Sequence, residues 1–111
     1  MINFYKYDVV VVKFPFASSI KYKARPAVII SSNIYNDNKR ETLLILAISS
    51  AIDSKLDFEV ELQDWGKAGL LKKSVFKSSI ATIEKEFVIT KLGTLSNTDI
   101  NILNKLIETI C

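Results

Sequence analysis

Thr42 to Ser49, Thr-Leu-Leu-Ile-Leu-Ala-Ile-Ser, is the most apolar run in the chain. A run this short with no polar alternation has no face to leave wet, so it predicts a central β-strand that emerges at two hydroxyls, Ser49 and Ser50. Leu43 to Ile48, the longest unbroken apolar stretch, falls far below the roughly 18 residues of a membrane span. The start, Met-Ile-Asn-Phe-Tyr-Lys-Tyr-Asp, lacks a signal-peptide pattern, so the expectation is a cytoplasmic protein with no membrane partner.

Other segments must pair with that strand. Asp8 to Phe14 is a β-branched run, and Pro15 stops it. Phe16 to Ala24 is polar and basic and reads as a loop. A second strand should begin at Arg25 or Pro26 and end at Ser31, followed by turn composition and one helical turn within Ser32 to Arg40. Asp57 to Leu62 alternates, which predicts a half-exposed strand with Asp57, Glu59 and Glu61 on a solvated acidic face. Gln63 to Lys73 reads as a long loop, Ser74 to Ser79 as a short strand, Thr82 to Glu86 as a helical turn, and Phe87 to Leu92 as a strand closed by Gly93. Ser96 and Asp99 fit a capping box. Ile100, Ile102, Leu103, Leu106, Ile107 and Ile110 then fall within an arc of about 160° at helical spacing. Strands followed by one long helix predict a mainly β, α+β domain over residues 1–111: a small barrel-like antiparallel or mixed sheet of five to seven strands with a C-terminal amphipathic helix.

The residue inventory narrows the chemistry. The chain has no histidine, which removes the commonest general base and metal ligand, and its one cysteine, Cys111, can form neither an intrachain disulfide nor a thiolate cluster. No metal or cofactor is implied. Residues 1–40 carry seven Lys or Arg against two Asp, whereas residues 41–111 carry eight against ten acids. The basic half suits a polyanion or an acidic peptide.

Within that half, Lys21-Tyr22-Lys23-Ala24-Arg25-Pro26 runs from a basic loop into an apolar strand. Proline restricts its predecessor to extended geometry, so Arg25 should be held at a strand start, as a phosphate-binding guanidinium needs to be. Lys67, Lys72, Lys73 and Lys77 form a second cationic group that could meet a polyanion or an acidic tail. Trp65, a lone aromatic in a loop, could stack on a base but reads rather as a packing or dimer contact.

The order of features resembles a known family: Asp8-Val9-Val10, Phe14-Pro15-Phe16, Arg25-Pro26-Ala27-Val28-Ile29-Ile30-Ser31, Ala47-Ile48-Ser49-Ser50, and Lys91-Leu92-Gly93-Thr94-Leu95-Ser96. It is similar to the MazF/PemK toxins of bacterial toxin–antitoxin systems, over nearly the whole chain. The resemblance implies a CcdB/MazF-like fold and a metal-independent, sequence-selective endoribonuclease (an mRNA interferase) that cuts single-stranded RNA as a homodimer and is neutralised by a cognate antitoxin. It implies a catalytic role for Arg25 and for Ser49, which stands where most relatives carry threonine. RNA would be bound by Lys21, Lys23, Ser50, Lys72, Lys73 and Lys77. Two departures stand out. Tyr7 replaces the usual glycine, and Ser78-Ser79-Ile80-Ala81-Thr82-Ile83-Glu84 lacks a carboxylate and an arginine common in relatives. The alternative is a non-cleaving toxin of the same fold that binds a protein target such as DNA gyrase.

Overall fold

The computed structural model describes residues 3–14, 23–51 and 58–111, with Phe14 and Lys23 described by their backbone alone. In chain order the elements are β1 (Asp8–Phe14), β2 (Lys23–Ile29), α1 (Asn33–Asn36), β3 (Thr42–Ser49), β4 (Val60–Glu61), β5 (Val75–Glu84), a 3-10 turn (Lys85–Phe87), β6 (Val88–Thr94) and α2 (Asn97–Ile110). They form a six-stranded sheet in the order β4-β5-β3-β2-β1-β6. Every pairing is antiparallel, and the sheet runs from β4 to β6 without closing. The mixed alternative is therefore excluded, and the barrel-like expectation is met by an open sheet.

β3 is the inner strand that its composition predicts. Alternate residues enter two different cores, because successive strand side chains point to opposite faces. Leu46 and Ile48 join Val9, Val28 and Phe76 beneath Leu103 and Leu106 of α2. Leu43 and Ile45 join Val10, Val12, Ala27, Ile29 and Ile83. Among the described residues no helix side chain enters the second cluster, against which Phe4, Ala81 and Val88 pack.

Several boundaries differ from the sequence reading. β2 starts two residues before Arg25, since the β1 ladder continues to Phe14 opposite Lys23. It ends at Ile29 because Ser31 leaves the sheet: its hydroxyl accepts from Leu44 N–H at 3.1 Å and donates to Asn36 Oδ1. The alternating segment yields only a two-residue β4. Phe58 takes a φ of 65°, which reverses the expected alternation: Phe58 is 56% exposed while Glu59 is 8% exposed. Glu59 thus leaves the predicted solvated face, Glu61 stays on it, and Asp57 lies outside the described residues.

The predicted strand-plus-helical-turn over residues 74–86 is one ten-residue strand ended by the 3-10 turn. Pairing with β3 overrides the polar Ser78-Ser79 interruption. From Leu46↔Ile80 to Ile48↔Phe76, β5 advances four residues while β3 advances two, so Lys77–Ser79 form a bulge. β6 likewise continues through Gly93 instead of stopping there.

Tyr7 sits at a φ of 76°, a left-handed conformation in which glycine carries no Cβ penalty. Its backbone donates to Ile29 O at 2.8 Å and accepts from Leu95 N–H at 3.1 Å, and its hydroxyl donates to Asn104 Oδ1 at 3.0 Å. Next to it, buried Asp8 takes Tyr5 N–H at 2.9 Å, the Thr94 hydroxyl at 3.0 Å and the Lys91 ammonium at 3.1 Å. These contacts join the start of β1 to β6 and α2.

Candidate active-site cleft

β2 and β3 pair through Ala27↔Ala47, Val28↔Leu46 and Ile29↔Ile45. Arg25 and Ser49 each stand two residues beyond the Ala27↔Ala47 pair, so strand alternation places both on one face at the same end of the sheet. Pro26, opposite Val11 of β1, keeps Arg25 extended, and Arg25 itself is exposed. The chain beyond Ser49 turns at once: the Ser49 hydroxyl accepts from Ala51 N–H at 3.1 Å. That contact orients the hydroxyl and leaves its proton free to donate.

Both residues line a cleft of about 530 Å³. Its polar groups are Arg25, Ser49, Ser50, Lys72 and Ser74, and none of its described lining residues is acidic. Its apolar wall includes Val11, Pro26, Ile48, Leu70, Leu71 and Leu92. Ser74 is buried and donates to Lys72 O at 2.9 Å, which closes the turn carrying Lys72. An anionic, partly apolar ligand fits this lining. Cations and hydroxyl donors meet its charge, and aliphatic side chains cover its uncharged parts.

The remaining predicted residues divide. Lys72 lies in the cleft, whereas exposed Lys73 and half-buried Lys77 do not line it. Lys77 pairs with Glu59 at 3.4 Å. Lys21 and the Lys23 side chain lie outside the described residues. Trp65 packs partly buried against the α2-side core, as a packing aromatic should. Among the described residues, no group of three or more acids, histidines or cysteines is placed to hold a metal ion. No described helix is long and apolar enough to cross a membrane.

The Gly69–Leu71 segment and Leu92 are not among the site residues expected from the sequence, yet they form one wall of the cleft. Leu71 is 93% exposed there. The trace of this wall in the sequence is its glycines. A Cβ on Gly69 would lie 2.4 Å from Leu92 O, and one on Gly93 would lie 2.8 Å from Ala68 O. Backbone of the 66–74 loop and backbone of β6 approach too closely for any side chain between them.

A family model described as PemK-like, MazF-like toxin of type II toxin–antitoxin system matches residues 5–111. The chain belongs to that toxin family. This family member shares its fold with solved structures at low identity. A mycobacterial endoribonuclease in complex with its cognate antitoxin aligns with a TM-score of 0.73 at 18% identity, covering 98% of this chain and 93% of that one. A second mycobacterial endoribonuclease gives 0.71 at 16%, covering 98% and 91%. A MazE–MazF structure from Deinococcus radiodurans gives 0.74 at 16%, covering 98% and 97%. No curated protein matches the chain in sequence.

Proposed function

We propose that this toxin is a metal-independent endoribonuclease that cleaves single-stranded RNA sequence-selectively in the cytoplasm. The observation that carries this reading is the shared position of Arg25 and Ser49 in one cleft with Lys72, with no acid among its described lining residues. Its structural neighbours, two mycobacterial proteins named as endoribonucleases, support the same class. Its resemblance to the family implies that it acts as a homodimer, and its likeness to the MazE–MazF and mycobacterial toxin–antitoxin complexes supports neutralisation by a cognate antitoxin.

In this reaction the substrate's 2′-oxygen attacks the adjacent phosphorus, giving up its proton to solvent, and the bond to the 5′-oxygen breaks as that oxygen takes a proton from solvent. The products are a 2′,3′-cyclic phosphate and a 5′-hydroxyl end. The added negative charge appears on the nonbridging phosphate oxygens. The Arg25 guanidinium presents two parallel donors to them, and the Ser49 hydroxyl donates the proton its contact with Ala51 leaves free. Ser50 and Lys72 in the cleft, together with Lys21, Lys23, Lys73 and Lys77, would hold the flanking backbone. A guanidinium is not a base at neutral pH, so Arg25 acts through charge and position rather than by taking the 2′-proton. The alternative of a gyrase-binding toxin has no specific observation in its favour.

The test is cutting of single-stranded RNA in EDTA with analysis of the ends. Wild type should leave cyclic phosphate, and Arg25→Ala and Ser49→Ala should each abolish most of the activity. Wild-type cutting by both variants overturns the assignment.

A further inference from the structure

The 63–74 loop is tied down by a buried carboxylate far from the cleft in sequence. Asp99, fully buried in the first turn of α2, accepts Gln63 N–H on Oδ1 at 2.7 Å and Asp64 N–H on Oδ2 at 2.9 Å. Its own N–H donates to Ser96 Oγ at 3.2 Å, and that hydroxyl donates to Asp64 Oδ2 at 2.7 Å. Asp99, Ser96 and Asp64 therefore close a ring between the helix and the loop. The expected capping box is half made: Ser96 caps the helix, and the Asp99 carboxylate turns outward to the loop.

From this clamp the loop runs through tight turns, with Ala68 N–H on Asp64 O at 3.3 Å and Leu70 N–H on Trp65 O at 3.0 Å. It then enters the Gly69/Gly93 contact with β6 and reaches Leu71 and Lys72 in the cleft. An ammonium on a long flexible stem binds a phosphate well only where its backbone is held, because ordering it on binding costs entropy.

We propose that Asp99 is a positioning residue for the cleft, holding the loop so that Lys72 is preorganised beside Arg25 and Ser49. The proposal rests on the reading of the cleft as an RNA site. Asp99→Asn retains the shape but offers one acceptor oxygen to two amide donors, so one of the two loop contacts is lost.

Two readouts test it. Trp65, the chain's single tryptophan, sits in the loop beside Asp64 and reports docking without RNA. Acrylamide quenching of Trp65 should increase in Asp99→Asn at temperatures where far-UV circular dichroism shows the sheet intact. The second readout is a double-mutant cycle on the binding of a single-stranded RNA oligonucleotide. Lys72→Ala should weaken binding about 10-fold in the parent and less than about 2-fold in the Asp99→Asn background. A merely structural Asp99 leaves the Lys72 penalty the same in both backgrounds. That result, or unchanged quenching, overturns the proposal. If Asp99→Asn does not fold, Asp99→Glu keeps the charge but moves both acceptor oxygens a methylene away from the Gln63 and Asp64 amides, and the same outcomes apply. Failure of the parent to bind RNA overturns the RNA reading, while the quenching result alone decides whether the clamp holds the loop.

Discussion

Glu59 and Lys77 form an ion pair at 3.4 Å in which the carboxylate side chain is 5% exposed and the lysine 37%. The pair lies just before β4, against the β5 bulge, so one acid of an alternating row is drawn inward while Glu61 stays in water. Replacing a buried charged acceptor costs far more than replacing a solvated one. Glu59→Gln should lower unfolding free energy by about 1–3 kcal/mol, and Glu61→Gln by no more than about 0.5 kcal/mol. Urea titration of both variants checks this, and equal midpoints would refute the buried role of Glu59.

The paired placement of Arg25 and Ser49 makes their substitutions distinguishable. Ser49→Ala removes a preorganised donor and should reduce kcat about 100- to 1,000-fold. Ser49→Thr restores the hydroxyl and should retain most of the activity. Arg25→Lys keeps the charge but not the two-pronged donor geometry, and should cost about 10- to 100-fold. Single-turnover cleavage of an RNA oligonucleotide measures all three. A Lys variant as active as wild type would show that charge alone suffices.

Gly69 and Gly66 are close in sequence but unlike in surroundings. Gly69 has a φ of +88° and a would-be Cβ 2.4 Å from Leu92 O, whereas a Cβ on Gly66 meets nothing within 4 Å. Gly69→Ala should destabilise by roughly 1–3 kcal/mol, lowering Tm by ~4–8 °C for each kcal/mol. Gly66→Ala should leave Tm unchanged or slightly raised. Thermal unfolding that ranks the two the other way would contradict the backbone contact between loop and β6.

Glu84, at the end of β5, is held above the ordinary glutamate range, first by a hydrogen bond with the Glu86 carboxyl, then by that group's charge, then by slight desolvation. A carboxyl whose pKa is raised on folding binds its proton more tightly in the native state. Its contribution is therefore present at low pH and lost as pH rises through the raised value. Glu86→Gln should bring the Glu84 titration back down, visible in carboxyl chemical shifts, and flatten that part of the stability–pH curve. An unmoved Glu84 titration would exclude Glu86 as the cause.

Legibility followed the range of the forces involved. β1, β3 and α2 match their expected bounds closely because apolar content and periodicity are local properties that burial reads directly. Val9 and Val10 enter opposite cores as a strand covered on both sides requires, and Leu103 and Leu106 occupy the buried stripe of the helix. Where local signals were polar, the partner strand prevailed: Ser78 and Ser79 interrupt the apolar pattern but remain in β5, since pairing with β3 on either side of the bulge carries the ladder across them. Of the cleft, Arg25, Ser49, Ser50 and Lys72 were readable as hydroxyls and cations at strand or loop ends. The Gly69–Leu71 wall was not, because its place depends on contacts with residues some twenty to thirty positions away.

By itself the sequence determined the apolar strands, the closing helix, the lack of imidazole and the Arg25-Pro26 constraint, all consequences of side-chain type and short-range spacing. Only the tertiary structure decided that the sheet stays open, that Glu59 turns inward while Phe58 turns out, and that Asp99 spends its carboxylate on the 63–64 amides. Each of these depends on which distant backbone groups arrive at a given point. Burial then makes every polar atom there find a partner, a requirement that no local pattern encodes.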